Sequence, residues 1–173
     1  TTSAVADDSS YSIGELMIVL ADGSIHEGQE AVTGGSGDDT ITLTNLSVTH
    51  IDGGAGTDTL VLGGEHMTLD LTMLGLDISN IEVLDLGTSG TNTLKLDLSD
   101  ALKLTDKQGD DLIIRGGDGN QVRLANTDGG VWSNVGQRTV DGQQFDVYHN
   151  SALTSDNTLG DVLIQHNLQV HVV

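Results

Sequence analysis

Two nine-residue segments of this chain repeat the same arrangement of glycine and aspartate. Residues 34–42 and 53–61 both match G-G-x-G-x-D-x-U-x, where U is a large apolar residue. Glycine lets the backbone turn through positive φ and expose its carbonyl oxygens, while Asp39 and Asp58 at the sixth position add carboxylates. Carbonyl and carboxylate oxygens are hard ligands, which suit calcium (Ca2+) better than zinc or copper. Two complete copies, 19 residues apart, make a chance match a poor explanation even among 23 glycines.

The elements that must position these ligands are short β-strands. The nonapeptide is the sequence signature of a half-coil in a calcium-binding parallel β-roll. Alternation is clearest at 69–71, 84–86 and 94–98, where leucine is expected to face inward. We predict an all-β fold based on a short parallel β-roll, a solenoid, over residues 34–125. One short helix, capped by its serine, is predicted over 99–104.

The segments on either side of the predicted roll carry their own signals. Residues 1–33 are expected to form a polar linker followed by a β-hairpin or strand, with an Asp-Gly turn at 22–23. Residues 126–173 contain three of the four aromatic residues and a second Asp-Gly turn at 141–142. We predict that they form an antiparallel β cap over the open end of the roll, with a second strand pair around 166–167.

Charge and composition narrow the classes of partner. The chain has 26 acidic and 6 basic residues, a formal net charge of −20, and neither Cys nor Pro. No basic stripe is present for nucleic acid, and adsorption to an anionic membrane is disfavoured for the same reason. No run approaches the roughly 18 apolar residues of a membrane helix. We therefore expect a monomer with no nucleic-acid partner and no stable membrane insertion. Its acidic residues are expected either to keep the surface solvated or to bind cations.

The sequence contains no recognisable catalytic motif. The six histidines form no HExxH pattern, there is no GxSxG nucleophile motif, and a chain without Cys has no thiol nucleophile. An acidic pair such as Asp110 and Asp111 says nothing about acid–base catalysis in a chain with 26 carboxylates. We predict that this chain is not an enzyme.

Complete nonapeptides followed by degraded copies resemble the repeats-in-toxin (RTX) proteins that Gram-negative bacteria export by type I secretion. The degraded copies lie at residues 75–77, 87–94, 109–113 and 116–121. The stretches 78–106 and 117–148 are similar to the C-terminal region of the very large RTX adhesins that act in biofilm formation and surface attachment. The resemblance covers roughly residues 34–173.

The resemblance implies a calcium-dependent folding module that carries an uncleaved C-terminal secretion signal within 126–173. In that family this region leaves the cell first and unfolded. It passes through an ABC transporter, a membrane fusion protein and an outer-membrane channel, and the repeats fold when they meet calcium outside. The expected location is therefore extracellular or on the bacterial cell surface.

The resemblance also implies a set of calcium ligands. Asp39 and Asp58 would supply carboxylates to an ion held between the two nonapeptide loops. Asp77, 19 residues beyond Asp58, would extend the row to a second ion, and Asp111 is a further candidate. Backbone carbonyl groups would complete the shell, namely those of Gly34, Ser36, Gly37, Gly53, Ala55 and Gly56.

An alternative treats the glycine turns as plain turns in a rigid β-solenoid that binds a glycan or ice. Its binding face would be an outward ladder of threonines, formed by Thr40, Thr42, Thr44, Thr57 and Thr59. Threonine is also a common strand residue, so its presence alone does not favour this alternative.

Overall fold

The computed structural model describes residues 2–5, 10–14, 17–19, 25–27, 30–46, 48–73, 75–105, 107–127 and 129–173, with side chains from Ala31 onward. These residues form 18 strands and one short helix, so the prediction of an all-β fold with one short helix is confirmed. The strands are β1 (Thr2–Val5), β2 (Ser10–Gly14), β3 (Met17–Val19), β4 (Ile25–Glu27), β5 (Glu30–Ser36), β6 (Thr40–Leu43), β7 (His50–Ala55), β8 (Thr59–Leu62), β9 (Thr68–Asp70), β10 (Asp77–Ser79), β11 (Val83–Asp85), β12 (Thr93–Leu96), β13 (Asp110–Arg115), β14 (Gln121–Leu124), β15 (Trp132–Val140), β16 (Gln143–Asn150), β17 (Leu159–Gln165) and β18 (Gln169–Val172). Helix α1 is Leu98–Leu104.

The described strands lie in three sheets. The first sheet has the order β1-β5-β7-β10 and the third has the order β18-β14-β12-β9, and every pair in both is parallel. The second sheet has the order β15-β16-β17-β13-β11-β8-β6-β2-β3-β4. It is parallel from β17 to β2 and antiparallel at both ends. The long sheet is therefore mixed.

The chain visits the three sheets in turn. Strands β7, β8 and β9 take it through the first, second and third sheets, and β10, β11 and β12 repeat that path. We call one such passage a circuit. After β12, helix α1 follows and packs beside β10, and the backbone N–H of Ile81 donates to the carbonyl of Leu104 at 2.8 Å. The helix is capped by Asp97 rather than by the predicted Ser99, because Asp97 and Asp100 form a reciprocal capping box.

The circuits lengthen along the chain. In the second sheet Ile41 pairs with Leu60, Leu60 with Leu84, Leu84 with Ile114, and Ile114 with Ile164. All five side chains are at most 1% exposed and form an inward row of the core. The sequence separations grow because β9, then α1, then the β15–β16 hairpin are added between successive strands of this sheet.

The predicted flanking segments differ in part from the observed ones. The antiparallel pairs β3–β4 and β15–β16 match the two predicted Asp-Gly hairpins, although residues 22–23 lie outside the described part of the chain. Strands β1 and β2 pair in parallel with β5 and β6, where a linker was predicted. Strands β17 and β18 do not pair with each other, contrary to the predicted strand pair around 166–167. They extend the second and third sheets instead, because apolar residues of each strand pair with buried apolar residues of the preceding circuit, Ile164 with Ile114 and Val170 with Val122.

Candidate metal centre

The two nonapeptide loops lie directly against each other in successive circuits. Gly35 is in register with Gly54, and Ser36 with Ala55. The backbone N–H of Gly37 donates to the carbonyl of Ala55 at 2.6 Å. The structure therefore brings together the two loops that were predicted to enclose an ion, and it links them by backbone hydrogen bonds.

The first glycine of each loop is required by close packing of the backbone. A Cβ atom at Gly34 would lie 1.7 Å from the carbonyl oxygen of Gly53, and one at Gly53 would lie 1.8 Å from the carbonyl oxygen of Asn80. No side chain larger than hydrogen fits at these distances. The inner ends of the two loops can approach this closely only because both positions are glycine.

The aspartates of the two loops belong to a buried row of three carboxylates, Asp39, Asp58 and Glu82, which we call the carboxylate column. Their exposed fractions are 1%, 0% and 7%. Asp58 Oδ1 accepts a hydrogen bond from the backbone N–H of Asp39 at 2.8 Å, and Glu82 Oε2 accepts one from the backbone N–H of Asp58 at 2.7 Å. Each of these bonds joins one circuit to the next. Each residue stands immediately before a strand of the second sheet, β6, β8 or β11.

Glu82 was missed by the sequence analysis, which extended the 19-residue spacing to Asp77. The structure places Asp77 at the start of β10, in register with His50, and its Oδ2 lies 3.2 Å from His50 Nδ1. The inserted strand β9 lengthens the circuit to 24 residues, which is the separation of Glu82 from Asp58. The alternating leucines at 69–71 were the signal for that extra strand.

Asp111 also lies outside the carboxylate column. Its Oδ1 accepts the backbone N–H of Asp161 at 2.9 Å, and its Oδ2 accepts the guanidinium of Arg138. The register of β11 with β13 places the fully buried Leu112 opposite Glu82. The column therefore ends at Glu82, because the next residue in the row is apolar.

A second buried column, made of the amides Asn92 and Asn120, lies at the turn between the second and third sheets. Asn92 Oδ1 accepts the backbone N–H of Met67 at 2.8 Å, and its Nδ2 donates to the carbonyls of Gly64 and Leu86 at 2.8 and 2.9 Å. Asn120 Oδ1 accepts the backbone N–H of Asn92 at 2.9 Å. A neutral amide thus joins circuits in the same way as the carboxylates do, so stacking alone does not require a negative charge.

The donor set of the nonapeptide loops fits calcium in its chemistry. The buried Asp39 and Asp58 carboxylates and the loop carbonyls are all oxygen ligands. The carbonyl of Gly56 is also approached by Lys107, whose Nζ lies 3.4 Å away. In the described part of the chain no group of three or more His, Cys, Asp and Glu side chains is arranged to hold a metal ion, so carbonyl oxygens would have to complete any shell.

The predicted threonine ladder is short. Thr40 and Thr59 are in register across β6 and β8, but the next position in the row is Val83. Thr42 is opposite Val61. Thr44 and Thr57 are exposed and lie just outside these strands. The outward face of the second sheet is therefore not a regular array of threonines.

Comparisons with known proteins found no matching family model, curated protein or solved structure. Among the described residues, no helix has the length and apolar character needed to cross a membrane.

Proposed function

We propose that this chain is a calcium-dependent folding module of a secreted RTX protein, in which the three sheets form a short parallel β-roll. The single observation that carries the proposal is the buried carboxylate column, which includes the aspartates of both stacked nonapeptide loops. Both complete nonapeptides contribute to it, at equivalent positions of successive circuits. Residues 126–173 are proposed to carry the type I secretion signal and to close the roll.

The energetic argument starts from burial. Moving an ionised carboxylate out of water costs several kcal/mol, and neighbouring like charges add to that cost. Hydrogen bonds from the backbone N–H groups of Asp39 and Asp58 offset part of it. A divalent cation bound by the loops would offset the remainder and would cross-link two circuits, so its binding free energy would become folding free energy.

Calcium affinity then sets where the chain folds. Extracellular calcium modules have dissociation constants of roughly 10⁻⁴ to 10⁻³ M. A site of that affinity is empty in the cytosol and filled outside, and the stabilisation grows with the ratio of free calcium to that constant. The unfolded chain would pass through the ABC transporter, the fusion protein and the outer-membrane channel, and would fold at the outer surface.

Far-UV circular dichroism tests the proposal. We expect a coil spectrum in chelator and a transition to β-structure near millimolar calcium, weak or absent with magnesium, because magnesium keeps its water ligands. The Asp58→Asn variant should weaken the calcium response. The Asp141→Asn variant is the matched control, since it removes the same charge at an exposed turn where asparagine also tolerates the observed φ of 47°.

A chain that is equally folded in chelator and in calcium would refute the proposal. The rigid glycan- or ice-binding solenoid would then become the leading interpretation. Equal responses of the two asparagine variants would show instead that calcium binds away from the carboxylate column.

A further inference from the structure

The outer face of the third sheet carries two polar rows that cross its strands. Thr68, Thr93, Gln121 and Gln169 share one row, and Asp70, Lys95, Arg123 and His171 share the next. The residues between the rows, Leu69, Leu94 and Val122, are at most 1% exposed and face the core. We call the eight outward side chains the third-sheet face.

The third-sheet face is locally basic in a strongly acidic chain. It holds two of the six Lys and Arg residues, at directly opposed positions of adjacent strands, Lys95 and Arg123. Lys95 Nζ lies 3.4 Å from Asp70 Oδ2. Within the described part of the chain the exposed guanidinium of Arg123 has no hydrogen bond or ion pair, and the exposed His171 is its neighbour in register. An anion can therefore approach Arg123 without displacing an existing partner.

The face contains a shallow groove with a polar lining. The groove has a volume of about 350 Å³ and is lined by Thr68, Asp70, Thr93, Lys95, Gln121 and Arg123. Hydroxyl and amide groups lie in one row of the lining, and a carboxylate and two cations lie in the next. No aromatic side chain lines it, so it offers no surface on which a nucleic-acid base could stack. Its regular donors and acceptors match a ligand with many hydroxyl groups.

We propose that the third-sheet face binds a carboxylated saccharide. Arg123 engages the sugar carboxylate through paired N–H donors, the geometry that guanidinium favours. Lys95 adds a second positive charge beside it. Asp70 and the Thr and Gln side chains accept and donate hydrogen bonds to hydroxyl groups. The wider negative charge of the chain disfavours long polyanions, so the site favours short carboxylated saccharides over long ones.

The test is an NMR titration of the whole chain, under the conditions in which circular dichroism shows it folded, with trigalacturonate as the probe. We expect shifts in the amide signals of β12, β14 and β18. Fully methyl-esterified trigalacturonate and free acetate serve as the two comparison ligands. The first lacks the charge and the second lacks the sugar, so both should bind at least about tenfold more weakly.

Two arginine variants localise the effect. Arg123→Gln should weaken trigalacturonate binding at least about tenfold, because a charge-assisted bidentate contact is lost. Arg115→Gln removes the same charge from an exposed position of β13, where Arg115 pairs with Asp85 at 2.9 Å, and should leave binding unchanged. Equal weakening by both variants, equal binding of the methyl ester or of acetate, or no shifts with trigalacturonate would each overturn the proposal. None of these outcomes bears on calcium-dependent folding, which is measured separately.

Discussion

The backbone N–H of Asp39 donates a hydrogen bond to Oδ1 of Asp58, 19 residues later, at 2.8 Å. The sixth-position aspartates of the two nonapeptides are thus in direct contact across successive circuits. Each has a structural role in joining the circuits as well as the predicted role as a ligand. Substitutions at Asp58 can separate the two roles, because asparagine keeps the accepting oxygen and removes the charge.

We expect Asp58→Asn to be more stable than the unaltered chain in chelator and to bind calcium about tenfold more weakly. In saturating calcium Asp58→Ala should be less stable than Asp58→Asn by about 1–3 kcal/mol, because the backbone N–H of Asp39 loses its acceptor. Far-UV circular dichroism in chelator, where the unaltered chain is expected to be coil, shows whether Asp58→Asn gains β-structure, and urea unfolding in saturating calcium compares the two variants. If Asp58→Asn gains no β-structure over the unaltered chain in chelator, the charge of the column is not a cost to folding.

The first glycine of the second nonapeptide should tolerate no substitution. At Gly53 an added Cβ would lie 1.8 Å from the carbonyl oxygen of Asn80, so Gly53→Ala forces two circuits apart. We expect a loss of at least about 3 kcal/mol that saturating calcium does not restore. The control is Gly63→Ala, where the nearest atom is the movable side-chain methyl of Thr42 at 2.7 Å. Thermal unfolding of both variants decides the matter, and a cooperative transition of Gly53→Ala close to the unaltered one would contradict the observed packing.

Aspartate should not be tolerated at position 92, although the nonapeptide pattern has aspartate there. Its Nδ2 donates to the carbonyls of Gly64 and Leu86, and aspartate cannot donate either bond when ionised. We predict that Asn92→Asp costs about 3 kcal/mol or more, because it buries a charge and leaves two carbonyls without that donor. The cost should stay the same as calcium is raised further above the concentration that folds the chain. A calcium-dependent rescue would instead indicate a second ion site at the amide column.

Helix α1 gives the chain a pH dependence of its own. Burial raises the pKa of the Asp100 carboxyl to about 6 from a reference value of 3.8, with the nearby Asp97 carboxylate adding to the rise. Because the folded-state pKa is the higher one, the folded chain binds the proton more tightly. The stability from this group is fully present below about pH 4 and is lost as the pH rises through about 6.

Asp100→Asn should remove that slope while keeping an acceptor for the backbone N–H of Asp97, which now lies 3.0 Å from Asp100 Oδ2. In excess calcium, the urea midpoint of the variant should exceed that of the unaltered chain at pH 7, and the difference should shrink toward pH 4. An unchanged difference across this range would show that Asp100 does not titrate with a raised pKa.

The sequence alone predicted the nonapeptide loops and the hairpin at 141–142 because both depend on residues close together in the chain. Glycine and aspartate at fixed offsets specify a local turn, and Asp141 and Gly142 both adopt the positive φ that such a hairpin turn requires. These features need no knowledge of distant strands.

Local sequence patterns could not predict that Glu82 belongs to the carboxylate column. They also could not predict that β17 and β18 lie in separate sheets. Alternation shows which side chains of a strand face inward, but not which sheet the strand joins. A carboxylate column also depends on register, and the register separations change from 19 to 24 residues once β9 is inserted. Apolar pairing across 50 residues, as between β13 and β17, leaves no periodic trace in the sequence.

The growing separation between paired strands gives the chain a preferred direction of assembly. Val170 of β18 pairs with Val122 of β14, and Ile164 of β17 with Ile114 of β13, so the last strands rest on partners far upstream. Loop-closure entropy makes those contacts slow to form unless the earlier circuits are already in place. If the chain left a pore with its C-terminal end first, β17 and β18 would emerge before β13 and β14, the strands with which they pair in parallel. These parallel pairs could not form until about fifty further residues had emerged.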